Sequence, residues 1–199
     1  MRQSGSSPQQ QAYTGVIVLL LASFAGGYFV GTHGGASALT GAAVSPANDG
    51  ELACWFSPQG GCTDAVVAEI SRATKTVQVL CYTFTSHPIA DALIEAHQRG
   101  VAVTVVADKS EVKDTHSEIQ AVARAGIPVY IDSTYAIAHN KIMVIDGNTV
   151  ITGSFNFTHA AEYDNADNVL VIHNHPTIAA AYVANFEQKL GHSAPFTAQ

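Results

Sequence analysis

Short apolar runs alternate with amphipathic segments along most of this chain, and this alternation constrains its fold more than any other feature. Runs rich in Val, Ile and Leu are typical of buried strands, and the segments between them carry the apolar spacing of helices. Such alternation predicts an α/β domain with a mixed, largely parallel β-sheet and helices on both faces. The expected strands are 76–84, 101–107, 127–131, 142–145, 149–152 and 168–172; the expected helices are 63–73, 88–99, 115–125 and 176–190, with a turn or short helix at 158–163.

A group of polar residues surrounds the predicted strand 142–145. His139 and Lys141 lie two positions apart, so on an extended chain their side chains point the same way. An imidazole beside an ammonium is a poor core element, because a buried cation without a partner is costly. The pair suits a phosphate, since lysine supplies positive charge to phosphoryl oxygens and a neutral histidine can attack phosphorus.

The pair belongs to a longer pattern, H-x-K-x4-D from His139 to Asp146, followed by Gly153-Ser154-Phe155-Asn156. This pattern resembles the signature of the phospholipase D superfamily, and most closely its single-motif, Nuc-type bacterial endonuclease branch. The similarity covers roughly residues 54 to 190. It implies a phospholipase D/nuclease-like sandwich fold and a phosphodiester hydrolase that needs neither a metal nor another cofactor.

The resemblance also implies roles for the residues of the pattern. His139 attacks phosphorus to give a phosphohistidine that water later opens, while Lys141, Ser154 and Asn156 bind the phosphate. The leaving oxygen needs a proton, which a second histidine donates. The chain has one copy of the motif, and in single-copy relatives a two-fold dimer brings two copies together. We therefore expect a homodimer with a shared site.

Three acidic residues have less direct roles. Asp167 matches the residue that orients the catalytic imidazole in the family, although the endonuclease branch usually carries glutamate there. Glu162 is the alternative candidate for that orienting role. Asp146 has the opposite strand parity from His139, so we expect a structural role for it, either capping the turn or pairing with a base elsewhere.

The first fifty residues differ in composition from the rest. Residues 15–30 are apolar and uncharged, and residues 32–50 form a Gly/Ala/Ser linker. We interpret residues 1–31 as a signal peptide or an N-terminal membrane anchor, and the sequence does not separate the two. The protein is then exported, to be periplasmic, secreted or membrane-attached. The catalytic domain is expected at 51–191, with a frayed tail at 192–199.

The net charge of −7 excludes a general positive field for holding a polyanion. A nucleic acid must therefore bind at a local cationic site. The leading hypothesis is a non-specific endonuclease acting on DNA or RNA. The alternative is a phospholipase D that cleaves the headgroup of phosphatidylcholine or cardiolipin, and a third hypothesis is a non-catalytic phosphate-binding protein.

The cysteines and a pair of histidines near the C-terminus also bear on the chemistry of the chain. Cys54 and Cys62 are close enough in sequence to form a disulfide in an exported protein, and a pairing that involves Cys81 stays open. His173 and His175 could supply half of a zinc site, but no third ligand stands at a helpful spacing. We therefore predict no metal site.

Overall fold

The structure, a computed structural model, describes residues 52–198. The predicted signal or anchor (1–31) and linker (32–50) lie outside these residues. Among residues 52–198, no helix has the length and apolar character needed to cross a bilayer.

The strands are β1 (Leu52–Phe56), β2 (Thr76–Cys81), β3 (Ala102–Asp108), β4 (Val129–Asp132), β5 (Lys141–Ile145), β6 (Thr149–Gly153), β7 (Asn168–Ile172) and β8 (Ala194–Phe196). The helices are α1 (Cys62–Arg72), α2 (His87–Gln98), α3 (Ile119–Arg124), α4 (His159–Tyr163) and α5 (Pro176–His192), with a 3₁₀ turn at Lys109–Val112.

The eight described strands form one mixed sheet in the order β1-β7-β6-β5-β2-β3-β4-β8. The prediction of a mixed α/β sheet is confirmed, but the prediction that it is largely parallel is wrong. Only β2–β3 and β3–β4 pair in parallel, and the other five neighbouring pairs are antiparallel. An apolar run buried on both faces has the same sequence pattern in either direction, so the pattern of β5 and β7 did not reveal their direction.

Helices cover both faces of this sheet, as predicted. In β2, Val77, Val79 and Cys81 point to the large core, which also contains buried residues of α1, α2 and α3. Leu80, on the opposite face, packs in a smaller cluster with Phe186 of α5. The two-residue alternation of a strand therefore separates the layers, and buried apolar area on each face stabilises the packing of helices on the sheet.

Both edges of the sheet differ from the prediction. β1 was not predicted, and it pairs with β7 from Leu52 opposite Ile172 to Phe56 opposite Asn168. The tail predicted at 192–199 is also wrong for the residues described, because β8 pairs antiparallel with β4. β8 is three residues long and contains Pro195. Such a segment has a weak strand pattern and is tolerated only at a sheet edge.

The possible disulfide between Cys54 and Cys62 is not formed, and Cys54, Cys62 and Cys81 are all free thiols. Trp55 packs against the large core, in which Cys62 is fully buried. Because neighbouring strand residues face opposite sides, Cys54 points away from that core and from Cys62. Burial, followed by the nearby carboxylates of Glu162 and Asp167, raises the pKa of the Cys62 thiol to about 12, so this thiol is unreactive.

Candidate active site

Four residues of the sequence pattern, His139, Lys141, Ser154 and Asn156, lie at one end of the neighbouring strands β5, β6 and β7. Lys141 is the first residue of β5, and His139 stands two positions before it. β6 and β7 are successive antiparallel neighbours of β5, so the end of β6 and the start of β7 meet the start of β5. This arrangement places Ser154 and Asn156, which follow β6, near Asp167, which precedes β7.

Lys141 is held in a buried position at this end of the strands. Lys141 is 7% exposed, and its Nζ donates to the carbonyl oxygen of His139 at 3.3 Å. The same Nζ lies 5.0 Å from the ring centroid of Tyr82, within the range of a cation–π contact. Burial lowers the pKa of the Lys141 ammonium, whereas the Asp167 carboxylate and Cys81 raise it. The site thus contains a buried cation with one carboxylate nearby.

The His139 side chain is exposed, and it packs on Tyr82. The centroids of the two rings are 4.7 Å apart, and their planes are inclined by 55°. Neither ring nitrogen has a hydrogen-bond partner among residues 52–198. The imidazole is therefore positioned by contact with an aromatic ring, while both of its nitrogens remain accessible to a substrate or to a second chain.

Ser154 lies against Asp167 and Asn168. Its hydroxyl donates to Asp167 Oδ1 at 2.7 Å and accepts from the backbone N–H of Asn168 at 3.1 Å. The backbone N–H of Asp167 also donates to Ser57 Oγ at 2.9 Å. Within the chain, Asp167 is bonded to these neighbours and makes no hydrogen bond to His139. Ser154 positions the carboxylate, and the carboxylate acts on the charge of Lys141.

Asn156 carries an orphaned polar group. Its Oδ1 is buried and has no hydrogen-bond partner among the described residues. A buried amide without a partner is costly, so such a group needs an explanation. Rotation of the amide by half a turn would instead place its NH₂ group, a hydrogen-bond donor, at the same point.

Gly153, which precedes Ser154, has no room for a side chain because the backbone of β7 lies close to it. A Cβ on Gly153 would lie 2.1 Å from the carbonyl oxygen of Asn168, and the Gly153 φ is +151°. Gly153 is paired with Val169 across β6 and β7. The absence of a side chain therefore lets the end of β6 bring Ser154 to Asp167.

Asp146 lies at the far end of β5 from the site. Its carboxylate accepts from the backbone N–H groups of Thr74, Lys75 and Thr76 and from the Thr74 hydroxyl, at distances of 2.7 to 2.9 Å. These bonds hold the pKa of Asp146 below its usual value, even though burial raises it. The H-x-K-x4-D pattern thus includes one residue, Asp146, that fixes the turn before β2 and lies away from His139 and Lys141.

Glu162 has no contact with the imidazole. Its two carboxylate oxygens accept from the backbone N–H groups of Gly61 at 3.0 Å and Thr63 at 2.7 Å. It therefore binds the first turn of α1, where a negative charge is stabilised by the unpaired amides. The alternative orienting role considered for Glu162 finds no support in these contacts.

Two residues of the site, Tyr82 and Ser57, lie in segments that share the family resemblance, but the sequence analysis assigned them no role. Tyr82 follows Cys81, which pairs with Lys141 across β2 and β5, and Ser57 bonds to the backbone of Asp167. Their roles depend on strand pairing, which the spacing of residues does not reveal. His173, a proposed half of a zinc site, instead contacts Thr149 Oγ1 and Glu69. No group of three or more His, Cys, Asp or Glu able to hold a metal occurs within residues 52–198.

Comparison with known proteins identifies relatives of the whole domain. Residues 66–190 match the family described as "Cardiolipin synthase, PLD-like domain". A phospholipase D from Rickettsia felis is 41% identical over 131 residues, which cover 66% of this chain and 65% of that protein. A mitochondrial cardiolipin hydrolase from Chlamydomonas reinhardtii is 34% identical over 119 residues, covering 60% of this chain and 53% of that one.

A solved structure of the phospholipase D family has a similar fold. The phospholipase D family member Nuc from Salmonella typhimurium superposes with a TM-score of 0.71 and 33% identity, covering 74% of this chain and 98% of that chain. By sequence, the chain spans 65% of the length of the Rickettsia felis relative and 53% of the Chlamydomonas one. On the family match, the sequence relatives and this fold, the chain belongs to the phospholipase D superfamily.

Proposed function

We propose that this protein is a metal-independent phosphodiesterase whose substrate is DNA or RNA, cut with little sequence preference. The observation that carries the proposal is the placement of an accessible imidazole, His139, beside a buried ammonium, Lys141, at the start of β5. A nucleophile next to a fixed positive charge is the arrangement that phosphoryl transfer requires.

The proposed reaction has two steps. A nitrogen of His139 forms a bond to phosphorus as the bond to the leaving oxygen breaks, and a second histidine donates a proton to that oxygen. Lys141 and Asn156 stabilise the charge on the phosphoryl oxygens. In the second step the second histidine takes a proton from water, and the resulting hydroxide displaces His139 from phosphorus.

We propose that the second histidine is His139 of another copy of the chain. The motif occurs once in the sequence, and both nitrogens of His139 are free of partners among the described residues. A two-fold axis beside the start of β5 would bring two such imidazoles to one phosphate. The homodimer is thus part of the proposed mechanism.

A local cationic cavity favours a nucleic acid. It has a volume of about 450 Å³, and its charged lining residues are Lys109, Lys113 and one carboxylate, Asp108; Tyr82 and Ile137 also line it. Tyr82 is the residue that contacts both His139 and Lys141, so the cavity adjoins the site. Cations next to the reacting phosphate can hold the neighbouring phosphates of a polymer even when the net charge of the protein is negative.

A phospholipid headgroup is the second candidate. Phe56, Ile137 and Tyr163 are large apolar or aromatic side chains that are 51%, 55% and 50% exposed. Phe56 pairs with Asn168, which follows Asp167 of the site, and Ile137 lines the cationic cavity. Such side chains can contact a lipid surface. The names of the Rickettsia and Chlamydomonas relatives, and an N-terminal anchor at residues 15–30, would also favour this alternative.

The full chain is tested on plasmid DNA, RNA, and liposomes of phosphatidylcholine or cardiolipin, all in excess EDTA. We expect the nucleic acids to be cleaved. Lys113→Gln should weaken DNA binding and lower the slope of log affinity against log salt by about one. Lys75→Gln, which removes an exposed lysine at the opposite end of β2, is the matched control. Headgroup release with intact nucleic acid would replace the leading proposal with the second one.

A further inference from the structure

A second cavity, of about 420 Å³, opens on the α1 and α2 side of the domain. Its walls are formed by the loop before α1, the start of α2, and α4. The side chains that matter for its chemistry are those of Asp64, Ser86, His87, His159, Glu162 and Tyr163. Its volume lies in the usual range for small-ligand sites, about 300–1,000 Å³. None of the roles assigned above accounts for it.

The cavity adjoins the candidate active site through the backbone. Thr85 and Ser86, which line it, donate their backbone N–H groups to the carbonyl oxygen of Phe157 at 2.9 and 3.0 Å. Phe157 directly follows Asn156. On the other wall, Gln59 is two residues from Ser57, whose N–H donates to the carbonyl oxygen of Asp167 at 3.0 Å. Two walls of the cavity are therefore linked by backbone hydrogen bonds to the segments that carry Asn156 and Asp167.

The walls suit a flat, uncharged ring. The rings of His159 and Tyr163 are 4.4 Å apart with planes inclined by 33°, and Tyr163 is 50% exposed. Ser86 lines the cavity, and its hydroxyl makes no capping hydrogen bond at the start of α2. The charged lining residues are the acids Asp64 and Glu162, without lysine or arginine. A phosphate would be repelled there, in contrast to the cavity that contains Lys109 and Lys113.

We propose that this cavity is a subsite for a nucleobase of the substrate, adjacent to the phosphodiester attacked by His139. The inference rests on the proposed function and deepens it. Unstacked bases bind on aromatic and histidine rings, with polar groups reading their edges. A quaternary ammonium is less well matched, because the cavity offers a single tyrosine ring and Glu162 is already bonded to Gly61 and Thr63.

Two substrates with the same leaving group test the subsite. Thymidine 5′-(4-nitrophenyl phosphate) carries a base, and methyl 4-nitrophenyl phosphate does not. We expect the full chain to prefer the nucleoside diester in kcat/KM by at least about tenfold, through a lower KM. Tyr163→Ala should reduce this ratio toward one by raising KM, and Tyr163→Phe should keep it. Leu52→Ala, which truncates a similarly exposed side chain at the far end of β1, should also keep the ratio.

An unchanged ratio in Tyr163→Ala, or an equal loss for both diesters, would overturn the subsite. If neither diester is hydrolysed, cleavage of plasmid DNA still decides the proposed function, and the subsite is then tested by binding alone. Ring signals of Tyr163 and His159 in the NMR spectrum should shift with thymidine monophosphate. Shifts with choline phosphate only, or with neither compound, would overturn the assignment to a base.

Discussion

At the scale of single residues, Lys141 is subject to two opposing effects. Burial lowers the pKa of its ammonium, and the Asp167 carboxylate raises it. The lysine must be protonated to stabilise a phosphoryl charge, so its deprotonation sets an alkaline limit to activity. Asp167 therefore extends the active range toward higher pH.

Asp167→Asn removes the carboxylate that supports this charge. The pKa of Lys141 then falls further, and the alkaline limb of the pH–rate profile should move to lower pH. The profile of kcat/KM against pH measures the shift. Ser154→Ala, which retains the carboxylate, is the comparison variant and should move the limb less. Identical alkaline limbs in wild type and Asp167→Asn would contradict the coupling between Asp167 and Lys141.

At the scale of elements, the pairing of β6 with β7 positions Ser154 beside Asp167. Gly153→Ala places a Cβ 2.1 Å from the Asn168 carbonyl oxygen, so the two strands must separate. We expect the free energy of unfolding to fall by about 1–3 kcal/mol and activity to fall with it, because Ser154 moves away from Asp167. Chemical denaturation and a hydrolysis assay measure the two effects.

Gly191→Ala is the matched control. A Cβ at this position, within α5, meets no atom within 4 Å. Alanine in a helix is more favourable than glycine by about 0.5–1 kcal/mol, so this variant should be slightly more stable and equally active. A Gly153→Ala protein as stable as wild type would show that the close approach of the strands is not needed.

The sequence predicted strands better than it predicted their arrangement. β7 was located to the residue, because Asn168–Ile172 is a short apolar run between turn residues. The direction of β5 and β6 was not predicted, since buried apolar runs carry no directional signal. The same limit applies to the site. His139 and Lys141 were found from spacing, whereas the contacts of Tyr82 and Ser57 arise from strand pairing between residues distant in sequence.

At the scale of the whole molecule, the account requires two chains at each site. Adding His139→Ala chains to wild type should therefore inhibit it, because a mixed dimer has a single catalytic imidazole. With equal amounts and free exchange, about half of the wild-type chains enter mixed dimers, so the activity per wild-type chain should fall to about half. Activity unaffected by the added chains, after exchange is verified by mass spectrometry, would exclude a shared site.

The proposed mechanism requires His139 to become covalently bonded to phosphorus without the help of a metal. The most direct test is rapid quenching of the full chain during turnover of a phosphodiester in excess EDTA, followed by mass spectrometry of the peptide that contains His139. The account predicts an acid-labile phosphoryl adduct on His139, and neither adduct nor hydrolysis in His139→Ala. Continued hydrolysis by His139→Ala, or complete loss of wild-type activity in EDTA, would contradict it.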